Sequence, residues 1–156
     1  LAPMKAPQTL AEANYLIGLS HLATNRLHDA HDALQAAVRA EFDWQQGDQV
    51  LMNLSRTQHK LSQSAAAIET IEKLRLRFPS SKSLDRAYYR LGEYAYATAE
   101  YGRASGAYEK MLAEFPSSRL VPYAQYGLGW SKLRQQDLDA AETAFSIVLT
   151  DFAEHS

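Results

Sequence analysis

The sequence predicts an all-α fold of eight helices in four antiparallel pairs, and three observations carry that expectation. Residue types recur every 37 positions: Ala30, Ala67, Ala104 and Ala141 are so spaced, as are the small residues Gly18, Ser55, Gly92 and Gly129. Large residues recur at the same step, in the sets Ile17, Leu54, Leu91, Leu128 and Leu34, Ile71, Tyr108, Phe145, and again at Phe78, Phe115 and Phe152. A fixed period of this size is the mark of stacked supersecondary units. Second, the apolar residues within each unit fall at helical spacing, as in Tyr88, Leu91, Tyr94 and Ala95. Third, no stretch shows the alternating, β-branched pattern of a strand.

The period divides the chain into a leader, 1–10, and a repeat domain, 11–156, with units 11–47, 48–84, 85–121 and 122–156. Thr9 and Glu12 fit a capping box after Pro7 and place the start of the first helix there. Breaks within units are expected at Thr24-Asn25, Ser62-Gln63, Glu100 to Gly102 and Gln135 to Asp137. Units close on Phe78-Pro79-Ser80-Ser81 and Phe115-Pro116-Ser117-Ser118, where proline stops one helix and the serines are expected to cap the next.

Composition excludes several classes. The 156 residues are 46% hydrophobic, enough for a core, and carry a net charge of −2 with a pI near 6.2, unlike a dedicated nucleic-acid binder. No apolar run approaches the roughly 18 residues that span a bilayer. The chain has no cysteine, so disulfides and thiolate sites are excluded. His28 and His31, beside Asp29 and Asp32, have a spacing found in metal sites, but acids near a helix start already complement its dipole. No Ser-His-Asp order, acid pair or glycine-rich phosphate loop appears, so neither catalysis nor a metal or other cofactor is expected. The chain opens on Leu1 and reads as a piece of a longer array.

The repeated residues resemble the tetratricopeptide repeat, W-x₂-L-G-x₂-Y, then A-x₃-F, then P. The third unit supplies Tyr88, Leu91-Gly92, Ala104, Tyr108 and Pro116; the fourth supplies Leu128-Gly129, Ala141 and Phe145. The first has Ile17-Gly18, Ala30 and Leu34, and the second Leu54-Ser55, Ala67, Ile71 and Pro79. The resemblance implies a right-handed superhelical solenoid that binds protein partners without catalysis. Small residues at the eighth and twentieth positions let the two helices of a pair approach closely, so a bulky residue at Ala104 should cost about 1–3 kcal/mol. The period of 37, against the usual 34, and the aromatic-Pro-Ser endings are similar to repeats of bacterial envelope proteins. Tol–Pal-associated periplasmic repeat proteins and outer-membrane assembly lipoproteins are of that kind, which implies a periplasmic scaffold.

The resemblance also implies that the first helix of each pair lines the binding face. The residues it nominates include Tyr15, Leu19, Leu22 and Ala23, then Asn53, Arg56 and Lys60. The third unit adds Arg86, Tyr89, Arg90, Glu93 and Tyr96, and the fourth Tyr126, Trp130 and Arg134. Arginine and aromatic rings dominate such a face, as they dominate binding hot spots. Asn53, Arg86 and Arg90 match three positions of a carboxylate clamp, whereas Tyr15 and Leu19 depart from the other two. Net charges of −3, +3, 0 and −3 for units one to four mark a basic middle. An acidic peptide segment contacting Arg56, Lys60, Arg86 and Arg90 is therefore expected, with an Arg90–Glu93 ion pair as the competing use of those charges. The apolar terminal helices, with Leu10, Leu16 and Ile17 at one end and Ile147, Leu149 and Phe152 at the other, offer the alternative of a homo-oligomer.

Overall fold

The computed structural model describes residues 6–40 and 44–151. Among them are eight α-helices and no strand: α1 (Ala6–Ala23), α2 (Leu27–Ala40), α3 (Gly47–Lys60), α4 (Ser64–Arg77), α5 (Leu84–Ala97), α6 (Tyr101–Glu114), α7 (Val121–Arg134) and α8 (Leu138–Asp151). Phe152 and the first five residues lie outside the described residues. The helices fall into two compact units, Leu1–Ser81 with α1 to α4 and Lys82–Ser156 with α5 to α8. Within the first, α1 packs on α2, α2 on α3 and α3 on α4; within the second, α5 packs on α6, α6 on α7 and α7 on α8.

Four left-handed residues set where each first helix stops. Asn25, Ser62, Ala99 and Gln136 have φ of 56°, 62°, 61° and 64°, and they too are 37 apart. Behind each, an amide reaches back to close the helix end: Arg26 to His21 O at 2.9 Å, Gln63 to Gln58 O at 2.8 Å, Glu100 to Ala95 O at 2.8 Å and Asp137 to Lys132 O at 3.0 Å. These bonds satisfy carbonyls that a helix terminus otherwise leaves open. The third break therefore falls at Thr98 to Glu100 rather than at Glu100 to Gly102, and α6 already includes Gly102.

Two expected caps are replaced by other contacts. Thr9 and Glu12 lie inside α1, which is helical from Ala6, so they do not form its start. The linker serines do not cap the following helix either. The Ser81 hydroxyl donates to the Asp48 carboxylate at the start of α3, and Ser118 Oγ donates to Asp85 Oδ2 of α5 at 2.6 Å. Both bonds tie the end of a unit back to its own first helix, and both use the residues that lengthen the repeat. The same carboxylates accept from the backbone, Asp48 from Gln49 N at 2.8 Å and Asp85 from Arg86 N at 2.7 Å.

The eighth position of each unit governs how closely helices approach. In the first unit, Leu34 Cδ2 lies 2.9 Å from where a Cβ on Gly18 would stand, and Ser55 is fully buried at the equivalent place in α3. In the second, a Cβ on Gly92 or Gly127 would stand 2.5 Å from the Tyr108 ring, and one on Gly129 2.6 Å from Phe145. The Tyr108 ring is thus received by bare backbone of both α5 and α7. Around α1 to α3 the core gathers Ala11, Tyr15, Leu34, Ala37, Trp44, Val50 and Leu54, and a buried Thr70 Oγ1 to Gln58 Oε1 bond of 2.7 Å joins α4 to α3.

Gly92→Ala should lower stability by about 1–3 kcal/mol through overpacking against Tyr108. Gly106→Ala, which meets nothing within 4 Å, should raise it by about 0.5–1 kcal/mol through helix propensity. Urea denaturation followed by circular dichroism separates the two. Ala99→Gly should also stabilise, by up to about 1 kcal/mol, because it relieves a left-handed alanine; the melting temperature reads this.

Candidate functional site

In the first unit the residues nominated for binding stand on α1 and α3. Tyr15 is buried with its ring edge-on to Trp44, centroids 6.0 Å apart. Its hydroxyl accepts from Asn53 Nδ2 at 3.2 Å and donates to Gln49 Oε1 at 3.5 Å, while Asn53 Nδ2 also donates to Gln49 O at 3.1 Å. Tyr15 and Asn53 therefore pin α1 to α3. Beside them a cavity of about 320 Å³ is lined by Leu19, Leu22, Ala23, Asn53, Arg56, Thr57 and Lys60. α1 lines it with Leu19, Leu22 and Ala23, and α3 brings two cations, Arg56 and Lys60, one helical turn apart. Arg56 and Lys60 are exposed, and no ion pair or hydrogen bond holds either among the described residues.

The second unit uses its charges differently. Arg90 Nη1 sits 2.6 Å from Glu93 Oε2, and its guanidinium lies 5.8 Å from the centre of the Tyr89 ring. Tyr89 in turn packs on Tyr108 at 6.0 Å. Arg134 Nε donates to Tyr96 Oη at 3.3 Å while its guanidinium covers the Tyr101 ring at 5.7 Å, and Tyr96 and Tyr101 stack edge to face at 5.2 Å. Tyr126 and Trp130 converge with Phe145 of α8 into a three-ring cluster, centroids 5.8 to 6.2 Å apart. Arg86 makes a long bond of 3.5 Å to Ser83 Oγ.

The nominated residues thus fall into separate groups. Asn53, Arg56 and Lys60 share one cavity in the first unit. In the second, Tyr89, Arg90 and Glu93 form one group, Tyr96 with Arg134 a second, and Tyr126 with Trp130 a third. Sequence reasoning left Thr57, Tyr101 and Phe145 out of the site. Phe145 and Tyr108 were marked only as packing residues of the repeat, and their contacts with Tyr126 and Tyr89 follow from that same packing. The His31 ring is engaged by Asp32 Oδ1 at 3.2 Å and by Gln35 Nε2 at 3.2 Å.

Burial raises the ionisation points of the tyrosines. Tyr89 is pushed up to about 12 by loss of solvent and then by the Glu93 carboxylate, with Arg90 opposing. Tyr108, more deeply buried, is raised further for the same first reason.

Stacked helix pairs presenting a ring- and cation-bearing face define a helical-repeat interaction module. The chain belongs to the tetratricopeptide repeat family, whose model matches residues 15–83 and 89–155. Repeats of this family are protein–protein interaction modules and are in general non-catalytic. Three solved structures share the fold. A MamA protein is 20% identical with a TM-score of 0.77, covering 89% of this chain and 71% of its own. BtubC (BKLC) from P. vanneervenii is 16% identical with a TM-score of 0.83, covering 95% and 65%. A tetratricopeptide repeat protein from Parabacteroides merdae is 20% identical with a TM-score of 0.81, covering 95% and 55%. None of the curated proteins matches the chain.

The raised tyrosines predict an alkaline limit to stability. An unfolded tyrosine ionises near 10 and Tyr89 in the fold near 12. Its contribution is therefore intact below pH 10 and lost as pH rises from 10 to 12. Absorbance titration at 295 nm should show a late-ionising class that shrinks in Tyr89→Phe and Tyr108→Phe. A single class near 10 contradicts the burial.

Proposed function

We propose that the chain is a non-catalytic interaction module that binds an acidic segment of a protein partner on its first-helix faces, anchored at Arg56 and Lys60. One observation carries the reading: two cations without a carboxylate partner among the described residues border a cavity floored by Leu19, Leu22 and Ala23. A segment with acidic and aliphatic side chains matches both walls. Arg90 is already engaged by Glu93, so binding there requires exchanging one carboxylate for another, and Arg56 and Lys60 contribute more. Asn53, held through Nδ2 by Tyr15 and Gln49, shapes the cavity and offers its side-chain Oδ1 to a partner amide. A scaffold role in a bacterial envelope is inferred from the Phe-Pro-Ser-Ser endings alone. Self-association through the terminal helices is a second reading, favoured by the exposed apolar residues of α1, α7 and α8.

Exposed ion pairs contribute only about 0.2–1 kcal/mol each. The double variant Arg56→Ala, Lys60→Ala should therefore weaken a fluorescein-labelled Glu/Leu-rich peptide about twofold to thirtyfold in an anisotropy titration. Arg86→Ala, Arg90→Ala should weaken it less, and the binding should fall with added salt. Equal binding by wild type and the Arg56, Lys60 variant contradicts the site.

A further inference from the structure

The packing of α7 on α6 supplies a pattern that α1 repeats without a partner. Three contacts mark the face that α7 turns to α6. Backbone at Gly127 receives the Tyr108 ring, Lys132 Nζ lies 2.7 Å from Glu109 Oε1, and Gln135, just past the helix end, donates from Nε2 to Ser105 Oγ at 3.1 Å. At helical spacing these three bracket Ala124, Leu128 and Ser131, and Ala124 and Ser131 are completely buried. Three periods earlier α1 carries the same small–aliphatic–small series, Ala13, Ile17 and Ser20. There it is bare. Ala13 and Ser20 are exposed, and Ile17 is 48% exposed where Leu54 and Leu91, at the same register, are 5% and 4%. Over its 18 residues α1 has no lysine or arginine and one acid, Glu12, the composition of a helix covered on every side.

The complementary half stands on α8. Phe145 and Val148 occupy the register of Tyr108 and Met111, which α7 buries on α6, yet both are partly open. Leu149 is 72% exposed, and Tyr126, at the register of the buried Tyr15, is half exposed. One chain thus holds both halves of an interface that it already makes once internally.

We propose that a second copy of this chain seats its α1 on α8 of the first, continuing the way α7 seats on α6. This rests on the self-association reading and does not involve the cavity at Arg56 and Lys60. The contact is heterologous, since the two copies offer different faces, and it leaves one face of each kind open for further copies. Leu16 stands where Gly127 receives a ring, so α1 rests on Phe145 through a side chain and at a wider separation than α7 keeps from α6. The α1 face is apolar, the α8 face sets Phe145, Val148 and Leu149 beside Glu142, and the charges at the contact are acidic: Glu12 on α1, Asp139 and Glu142 on α8. Association therefore holds or strengthens as salt rises, opposite to the acidic-segment site.

The absence of native cysteine makes the geometry directly testable. Gln135 and Ser105 touch within the chain, and their counterparts at this contact are Thr24 of one copy and Glu142 of the next. Mixed Thr24→Cys and Glu142→Cys chains should oxidise to a crossed dimer that neither variant forms alone. Light scattering of the wild type should show mass rising with concentration. Ile17→Glu should weaken association at least tenfold while helicity and binding of the acidic peptide stay unchanged. If Ile17→Glu fails to fold, the cross-linking decides alone. A constant monomer mass, or cross-links within each variant that match or exceed the crossed product, overturns the proposal. Retained assembly in a folded Ile17→Glu chain also overturns it, whereas a wild type that assembles but does not bind the Glu/Leu-rich peptide counts against the cavity reading alone.

Discussion

Everything in the second unit depends on one seat: the Tyr108 ring lying where any side chain on Gly92 or Gly127 would stand. An aromatic ring held between two backbones fixes the spacing of α5, α6 and α7 together, and packed interiors leave little room to adjust. Tyr89 then lands on the Tyr108 ring, and Arg90 and Glu93 are carried with it to the surface. In the first unit the corresponding seat is smaller, Leu34 on Gly18, and Ile71 and Ser55 at the equivalent registers are both fully buried.

The two units share this scaffold but use their charges in different ways. Around α5 and α7 the arginines are committed to neighbours, Arg90 to Glu93 and Tyr89, Arg134 to Tyr96 and Tyr101. Around α1 and α3, Arg56 and Lys60 border a cavity that no carboxylate lines among the described residues. Uncommitted charge over an apolar floor suits a ligand carrying both kinds of group, and the aliphatic contact adds to an electrostatic term that solvent keeps small.

The period made the helix pairs and the close-packed register legible, because residue size at fixed spacing directly reflects which backbones must approach. The left-handed turns were less legible. Asn25 suits that conformation, whereas Ala99 and Gln136 adopt it only because the neighbouring helices dictate where the chain must turn. The serine contacts were misread since Ser81 and Ser118 look like local caps, and their partners Asp48 and Asp85 stand 33 residues away. That separation recurs in two units, so the repeat did contain the signal. Arg90 with Glu93 was readable as a helical pair, but a sequence alone does not decide between that pair and a ligand.

Amide chemical-shift mapping by NMR tests most directly whether the first-unit cavity takes an acidic segment. Titrating the Glu/Leu-rich peptide into ¹⁵N-labelled protein should move Leu19, Leu22, Asn53, Arg56, Thr57 and Lys60 together. Shifts confined to α5 and α7, or spread without preference over the surface, would contradict it.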